Sequence, residues 1–163
     1  MLKKIKVIAM DVDGVMTDGR IIYDSHGQEL KFFDVQDGYG IARARREGIK
    51  TAVISARCSN AVKARTKDLK FDKVYLGANP KLEAYAQMLK VFNVEDHEVC
   101  YLGDDMPDLG VLGRVGLAVA VANAALEVKE AADYVTAHSG GRGAVREVIE
   151  LVLKAQGRWG AEK

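Results

Sequence analysis

Apolar runs of strand length recur along this chain, each ending in polar or glycine-rich residues and followed by sequence with helical spacing. The first run is Ile5–Met10, and others fall at 51–54, 73–76, 98–102, 115–119 and 133–136. Helix-period sequence occupies 38–47, closed by Gly48, then 59–69, 80–92 and 143–156. Pro80 suits a first helical position, and the last helix sets Val145, Val148, Ile149, Val152 and Leu153 along one face. Strands alternating with helices predict an α/β fold, a Rossmann-like parallel sheet with helices on both faces. The segment 20–33 breaks the alternation and reads as two short strands around a turn near Ser25–Gly27, a β-hairpin inserted after the first strand. Residues 1–156 form a single domain on this reading, without internal repeat or linker, and 157–163 form a mobile C-terminal tail.

Composition narrows the classes of function. The chain has 163 residues, 24 basic and 23 acidic, for a net charge of +1. That balance gives no electrostatic footprint for nucleic acid or an anionic membrane surface. The N-terminal apolar run stops at Asp11, too soon for a signal peptide, and no run reaches the ~20 apolar residues of a membrane-spanning helix. Cys58 and Cys100 are too far apart for a short-spaced zinc motif, and Cys100 reads as a core thiol. A reduced, cytoplasmic protein is expected.

The chemistry sits at the strand ends. In open α/β sheets ligands bind beyond the carboxyl ends of the strands. There the sequence places Asp11 and Asp13, then Ser55 and Arg57, then Gly103, Asp104 and Asp105, while Lys81 opens the helix after 73–76. Each piece alone has a plain structural explanation: a turn for the aspartate pair, a helix cap for Ser55, a solvated charge for Lys81, a capped helix start for Gly103–Asp108. A calcium loop counted from Asp11 fails, because Met16 and Ile22 stand at its glycine and final glutamate positions. The joint placement selects a catalytic reading. Converging carboxylates favour a hard cation such as Mg²⁺, with Asp11 and Asp104 as partners. An ionised Asp11 can attack phosphorus, Asp13 can exchange a proton with the leaving alcohol and then with water, and Ser55 and Lys81 can hold phosphate oxygens. Gly14 permits a tight turn between them. His26, His97 and His138 have no partner pattern and read as surface or loop residues.

Asp11-Val-Asp-Gly-Val15, Ser55, Lys81 and Gly103-Asp-Asp-Met-Pro-Asp108 together resemble, in order, the four motifs of the haloacid dehalogenase-like phosphohydrolases. The resemblance spans nearly the whole chain. It implies Asp11 as nucleophile, Asp13 as acid/base that also offers its backbone carbonyl to the metal, Asp104 on Mg²⁺, and Asp105 and Asp108 as supporting carboxylates whose division of roles stays open. Asp34-Val-Gln-Asp-Gly-Tyr-Gly40 and Gly140-Gly-Arg-Gly-Ala-Val-Arg-Glu147 are similar to a narrower group, the capless 3-deoxy-D-manno-octulosonate 8-phosphate phosphatases of lipopolysaccharide precursor synthesis. That group implies a small phosphorylated sugar acid as substrate and a homotetramer in which hairpins pack together and a neighbour helps close the site. It also implies substrate contacts from Arg57, Arg65, Lys81 and the 34–38 segment (Asp34, Val35, Gln36, Asp37, Gly38). Gln36 and Ala42 stand where some members carry arginine, so a related nonulosonate 9-phosphate is the alternative substrate. Arg142 has two readings, a phosphate or neighbour contact and a tight turn before the last helix. A receiver domain is disfavoured because no acceptor aspartate follows a mid-chain strand. A silent binding subunit would be expected to have lost Asp11 or Asp13.

Overall fold

A computed structural model describes residues 1–160. In chain order the elements are β1 (Val7–Met10), β2 (Ile22–Tyr23), β3 (Glu29–Leu30), α1 (Val35–Arg46), β4 (Lys50–Ser55), α2 (Asn60–Asp68), β5 (Lys73–Leu76), α3 (Lys81–Phe92), β6 (Val99–Gly103), α4 (Leu109–Leu112), β7 (Leu117–Ala120), α5 (Leu126–Ala131), β8 (Tyr134–Val135) and α6 (Ala144–Ala155). Six strands form one parallel sheet in the order β5-β4-β1-β6-β7-β8, and β2 and β3 pair antiparallel in a separate ribbon. The chain winds outward from β1 through β4 and β5, then returns to β6 on the other side of β1. This reversal puts the crevice for a ligand at the carboxyl ends of β1 and its neighbours.

Parallel strands covered on both faces cannot alternate apolar with polar residues, which is why the runs read as continuous. All of Val7-Ile-Ala-Met10 is fully buried, as are Val99, Cys100, Tyr101 and Leu102. The apolar face of α6 closes the core through Val145, Val148, Ile149, Val152 and Leu153, and α6 packs against α1.

The structure differs from the sequence expectation in three places. Helix α1 begins at Val35 rather than 38, because the Asp34 carboxylate caps it by accepting from the amides of Gln36 (2.6 Å) and Asp37 (3.2 Å). The 34–38 segment is therefore the cap and first turn of a helix, not a loop. Helices α4 and α5 span only four and six residues, too few for a helical period to register. Residues 157–159 do not form the mobile tail expected of them. Trp159 packs on the core with the guanidinium groups of Arg43 and Arg146 over its ring at 5.7 and 4.7 Å. The remainder of that expected tail, 161–163, lies outside the described residues.

Candidate active site at the carboxyl edge of the sheet

Strand β1 delivers Asp11 directly: its amide bonds the Leu102 carbonyl at 3.0 Å, extending the β1–β6 ladder by one step. The Asp11 carboxylate is buried, accepts from the Val12 amide at 2.6 Å and lies 2.7 Å from Lys81 Nζ. Lys81, the first residue of α3, is also buried and reaches Asp108 Oδ1 at 2.7 Å on its other side. Asp108 also accepts from the Tyr101 hydroxyl at 2.7 Å and from the amides of Asp104 (3.1 Å) and Asp105 (3.3 Å). Both its oxygens are thus in use. Asp105 is exposed and caps the short turn Met106–Asp108. Of Asp105 and Asp108, it is Asp108 that bonds Lys81.

Carboxylate oxygens of Asp11, Asp104 and Asp108 lie within 4.8 Å of one another. Burial pushes the Asp11 carboxyl up to about 6, against the opposing pull of Lys81. Burial, then the charges of Asp11 and Asp108, push Asp104 up to about 7. With Asp108 committed to Lys81, Tyr101 and two amides, Asp11 and Asp104 remain as a pair of hard oxygen donors whose ionisation a divalent cation would restore. That donor set fits Mg²⁺. Gly14 makes their approach possible: it adopts φ +87°, and a Cβ there would sit 1.9 Å from Asp104 Oδ2.

The cleft has a volume of about 220 Å³ and is lined by Asp11, Asp13, Ser55, Arg57, Lys81 and Asp104, with Asp105 at its rim. A sequence profile for haloacid dehalogenase-like hydrolases matches residues 78–149, the part of the chain that carries Lys81, Asp104 and Asp108. The curated 3-deoxy-D-manno-octulosonate 8-phosphate phosphatase of Escherichia coli is 44% identical over 156 residues, covering 96% of this chain and 83% of its own. The solved Moraxella catarrhalis enzyme of that name, in complex with magnesium, phosphate and KDO, superposes with a TM-score of 0.93 at 43% identity, over 96% of this chain and 90% of its own. The cobalt-bound Haemophilus influenzae phosphatase superposes with a TM-score of 0.92 at 40% identity, over 96% and 91%. This chain belongs to the 3-deoxy-D-manno-octulosonate 8-phosphate phosphatase family.

Not every residue that the family pattern suggests for substrate reaches the cleft of this phosphatase. Ser55, at the end of β4, and Arg57 do, the Ser55 hydroxyl accepting from the Arg57 amide at 3.3 Å. Arg65 instead clasps the start of α1, donating to the Asp34 carbonyl (3.2 Å) and to Asp68 (3.1 Å) with its guanidinium over Phe33. Asp37 is buried against the start of α6, where it accepts from the Arg146 amide at 2.8 Å, and burial pushes its carboxyl up to about 6. Gln36 borders a separate hollow of about 320 Å³ with His138, Arg146 and Glu147. None of residues 34–38 lines the carboxylate cleft. His138 pairs with Glu147 at 2.6 Å. Exposed Arg142 sits in the glycine turn before α6, its amide bonded to the Ser139 carbonyl at 3.0 Å.

Three contributors carry no local signal in the sequence. Asn123 ties the catalytic turn to the glycine loop before α6: its Nδ2 donates to the Gly14 carbonyl (3.1 Å) and its Oδ1 accepts from the Gly140 amide (2.6 Å). A Cβ on Gly140 would fall 1.7 Å from that same Gly14 carbonyl, so only glycine fits. Glu29 and Lys31 come from the hairpin. Lys31 Nζ bonds Asp13 Oδ1 and, at 2.8 Å, Glu29. Burial works against the charge on Lys31, and its bonds to the two carboxylates outweigh that.

Proposed function

We propose that this protein is a Mg²⁺-dependent phosphomonoesterase that hydrolyses 3-deoxy-D-manno-octulosonate 8-phosphate to the free sugar acid and phosphate, as a cytoplasmic step in lipopolysaccharide precursor synthesis. The observation that carries this reading is the convergence of Asp11, Asp104 and the Asp108-held Lys81 at the ends of β1 and β6. When bound, Mg²⁺ supplies the opposing charge that keeps the Asp11 and Asp104 carboxylates ionised and draws phosphate to them. Asp11 and Asp104 would hold it, together with the Asp13 backbone carbonyl. An Asp11 oxygen then forms a bond to phosphorus as the bond from phosphorus to the sugar oxygen breaks, and Asp13 gives that oxygen its proton. In the second half Asp13 takes a proton from the attacking water, and the aspartyl-phosphate opens to free Asp11 and phosphate. Ser55 and Lys81 hold the non-bridging oxygens throughout. Arg57, charged and at the cleft wall, receives the sugar carboxylate.

Outside the single chain's cleft, exposed Val35 and Gln36 are free to face a neighbour's substrate in a homotetramer whose subunits complete the site, whereas Asp37 and Gly38 are buried and act on it only through the start of α1. The exposed apolar side chains of Tyr23, Phe32 and Val35 on and beside the hairpin support that assembly, which a mass measurement in solution tests. Among the described residues no helix is long and apolar enough to cross a membrane. The deciding experiment is a phosphate-release screen with Mg²⁺ across sugar phosphates. Preference for the eight-carbon keto-acid phosphate is the expected outcome. Preference for a nine-carbon one would reassign the substrate, and equal hydrolysis of small generic phosphates would overturn the narrow assignment.

A further inference from the structure

The hairpin reverses the usual arrangement of a ribbon lying on a protein. Successive strand residues point to opposite faces. Along Glu29-Leu-Lys-Phe32 the charged residues turn inward and the apolar ones outward. Side chains of Glu29 and Lys31 are 13% and 1% exposed, whereas Leu30 and Phe32 are 48% and 68% exposed. A hairpin that merely covered the sheet would bury the apolar set. What the inward face meets is Asp13. Lys31 bonds Asp13 Oδ1, Glu29 holds Lys31 from the far side, and Arg57 closes the group with Nε 3.7 Å from Asp13 Oδ2 and a 3.1 Å bond to Glu29. Asp13 Oδ2 is buried and has no hydrogen-bond partner. One oxygen is anchored and the other has no hydrogen bond, on a residue that lines the cleft.

We propose that Lys31 is a positioning residue for Asp13: by fixing Oδ1 it turns the carboxyl away from the Asp11–Asp104 pair and presents Oδ2 to the leaving-group oxygen. The inference rests on the acid/base role proposed above for Asp13. It gives the hairpin's inner face a part in the chemical step, separate from any packing by its outer face.

The test compares two substrates of nearly equal shape that differ in their need for a proton. Phenyl phosphate releases a phenol of pKa about 10, like the tyrosine side chain, whereas p-nitrophenyl phosphate releases a far more acidic phenol. The quantity to read is kcat/KM, which reports on leaving-group departure rather than on opening of the aspartyl-phosphate. Lys31→Met keeps the length and apolar stem of the side chain. It should lower kcat/KM for phenyl phosphate by about tenfold more than for p-nitrophenyl phosphate, a fraction of the 10²–10⁴ typical of general acid catalysis. Asp13→Asn should show the same split, larger. Equal losses on both substrates for Lys31→Met, beside a clear split for Asp13→Asn, would overturn the Lys31 inference and leave the Asp13 role standing. No split for Asp13→Asn would remove the role itself. Should Lys31→Met fail to fold, Glu29→Gln loosens Lys31 from behind and carries the same comparison with a smaller split.

Discussion

The two aspartates at the end of β1 sit in opposite kinds of surroundings. On the Asp11 side every partner comes from a strand end or a helix start: Asp104 after β6, Lys81 at the head of α3, Asp108 beneath them. Nearly everything there is buried, and the Lys81 side chain is 3% exposed. On the Asp13 side the partners come from the hairpin and a loop, and Arg57 is 47% exposed. The first half is a fixed frame with an excess of negative charge awaiting a cation. The second is a ring of paired charges around one oxygen left without a hydrogen bond. A nucleophile must be held in line and kept ionised, whereas a proton carrier must meet two different oxygens in turn. In the proposed mechanism the frame serves the first task and the lighter ring the second.

Substitutions can break each half separately. The largest effect is expected from Asp11→Asn, which removes the proposed nucleophile: turnover should fall on the order of 10⁴-fold or more while the thermal transition is retained. Undiminished hydrolysis would end the covalent mechanism. Gly14→Ala comes next. The added methyl collides with the Asp104 carboxylate, the movable end of a side chain, at a backbone φ of +87° that alanine tolerates poorly. Magnesium affinity, followed as the Mg²⁺ dependence of rate, should weaken by about 10–100-fold.

The charged frame also predicts a pH effect on the metal-free protein. Asp11 and Asp104 titrate at about 6 and 7 when folded, above the ordinary 3.8. Between those limits the folded chain binds more protons than the unfolded one, so stability is greatest below about pH 4 from these groups and is lost as pH rises through 6 and 7. Mg²⁺ binds the ionised pair, so its thermal stabilisation should grow from pH 5 to pH 7.5, as read by melting with and without the ion. A stabilisation that stays flat with pH would contradict the picture of a frame lacking its counter-charge. The smallest effect on stability belongs to the other half. Arg57→Gln removes half-exposed ion pairs and should shift stability by no more than about 1 kcal/mol. Its KM for the sugar acid phosphate should rise about tenfold, with small phosphate monoesters that lack a carboxylate unaffected. A large stability loss would mean that the Asp13 ring is as structural as the Asp11 frame.

Much of the Asp11 frame was legible before any fold was known, and little of the Asp13 ring was. Strand runs and the residues that follow them are local features: Asp11, Ser55 and Asp104 can be named because a buried parallel strand reads as an unbroken apolar run and its active residues stand at its end. Lys31 meets Asp13 across 18 residues, Lys81 meets Asp108 across 27 and Asn123 meets Gly14 across 109. No periodicity encodes such pairings. The choice of Asp108 over Asp105 as the holder of Lys81 depended on which carboxylate the short turn Met106–Asp108 pointed inward. The inward placement of Asp37 and the start of α1 at Val35 depended on helix caps whose acceptors are ordinary aspartates in sequence. By itself, then, the sequence determined the parallel sheet and which carboxylates and hydroxyl stand at its carboxyl edge, because burial and strand order impose them locally. Only the tertiary structure decided which charges surround each aspartate, because a buried charge takes whatever partner the folded chain brings within hydrogen-bond reach.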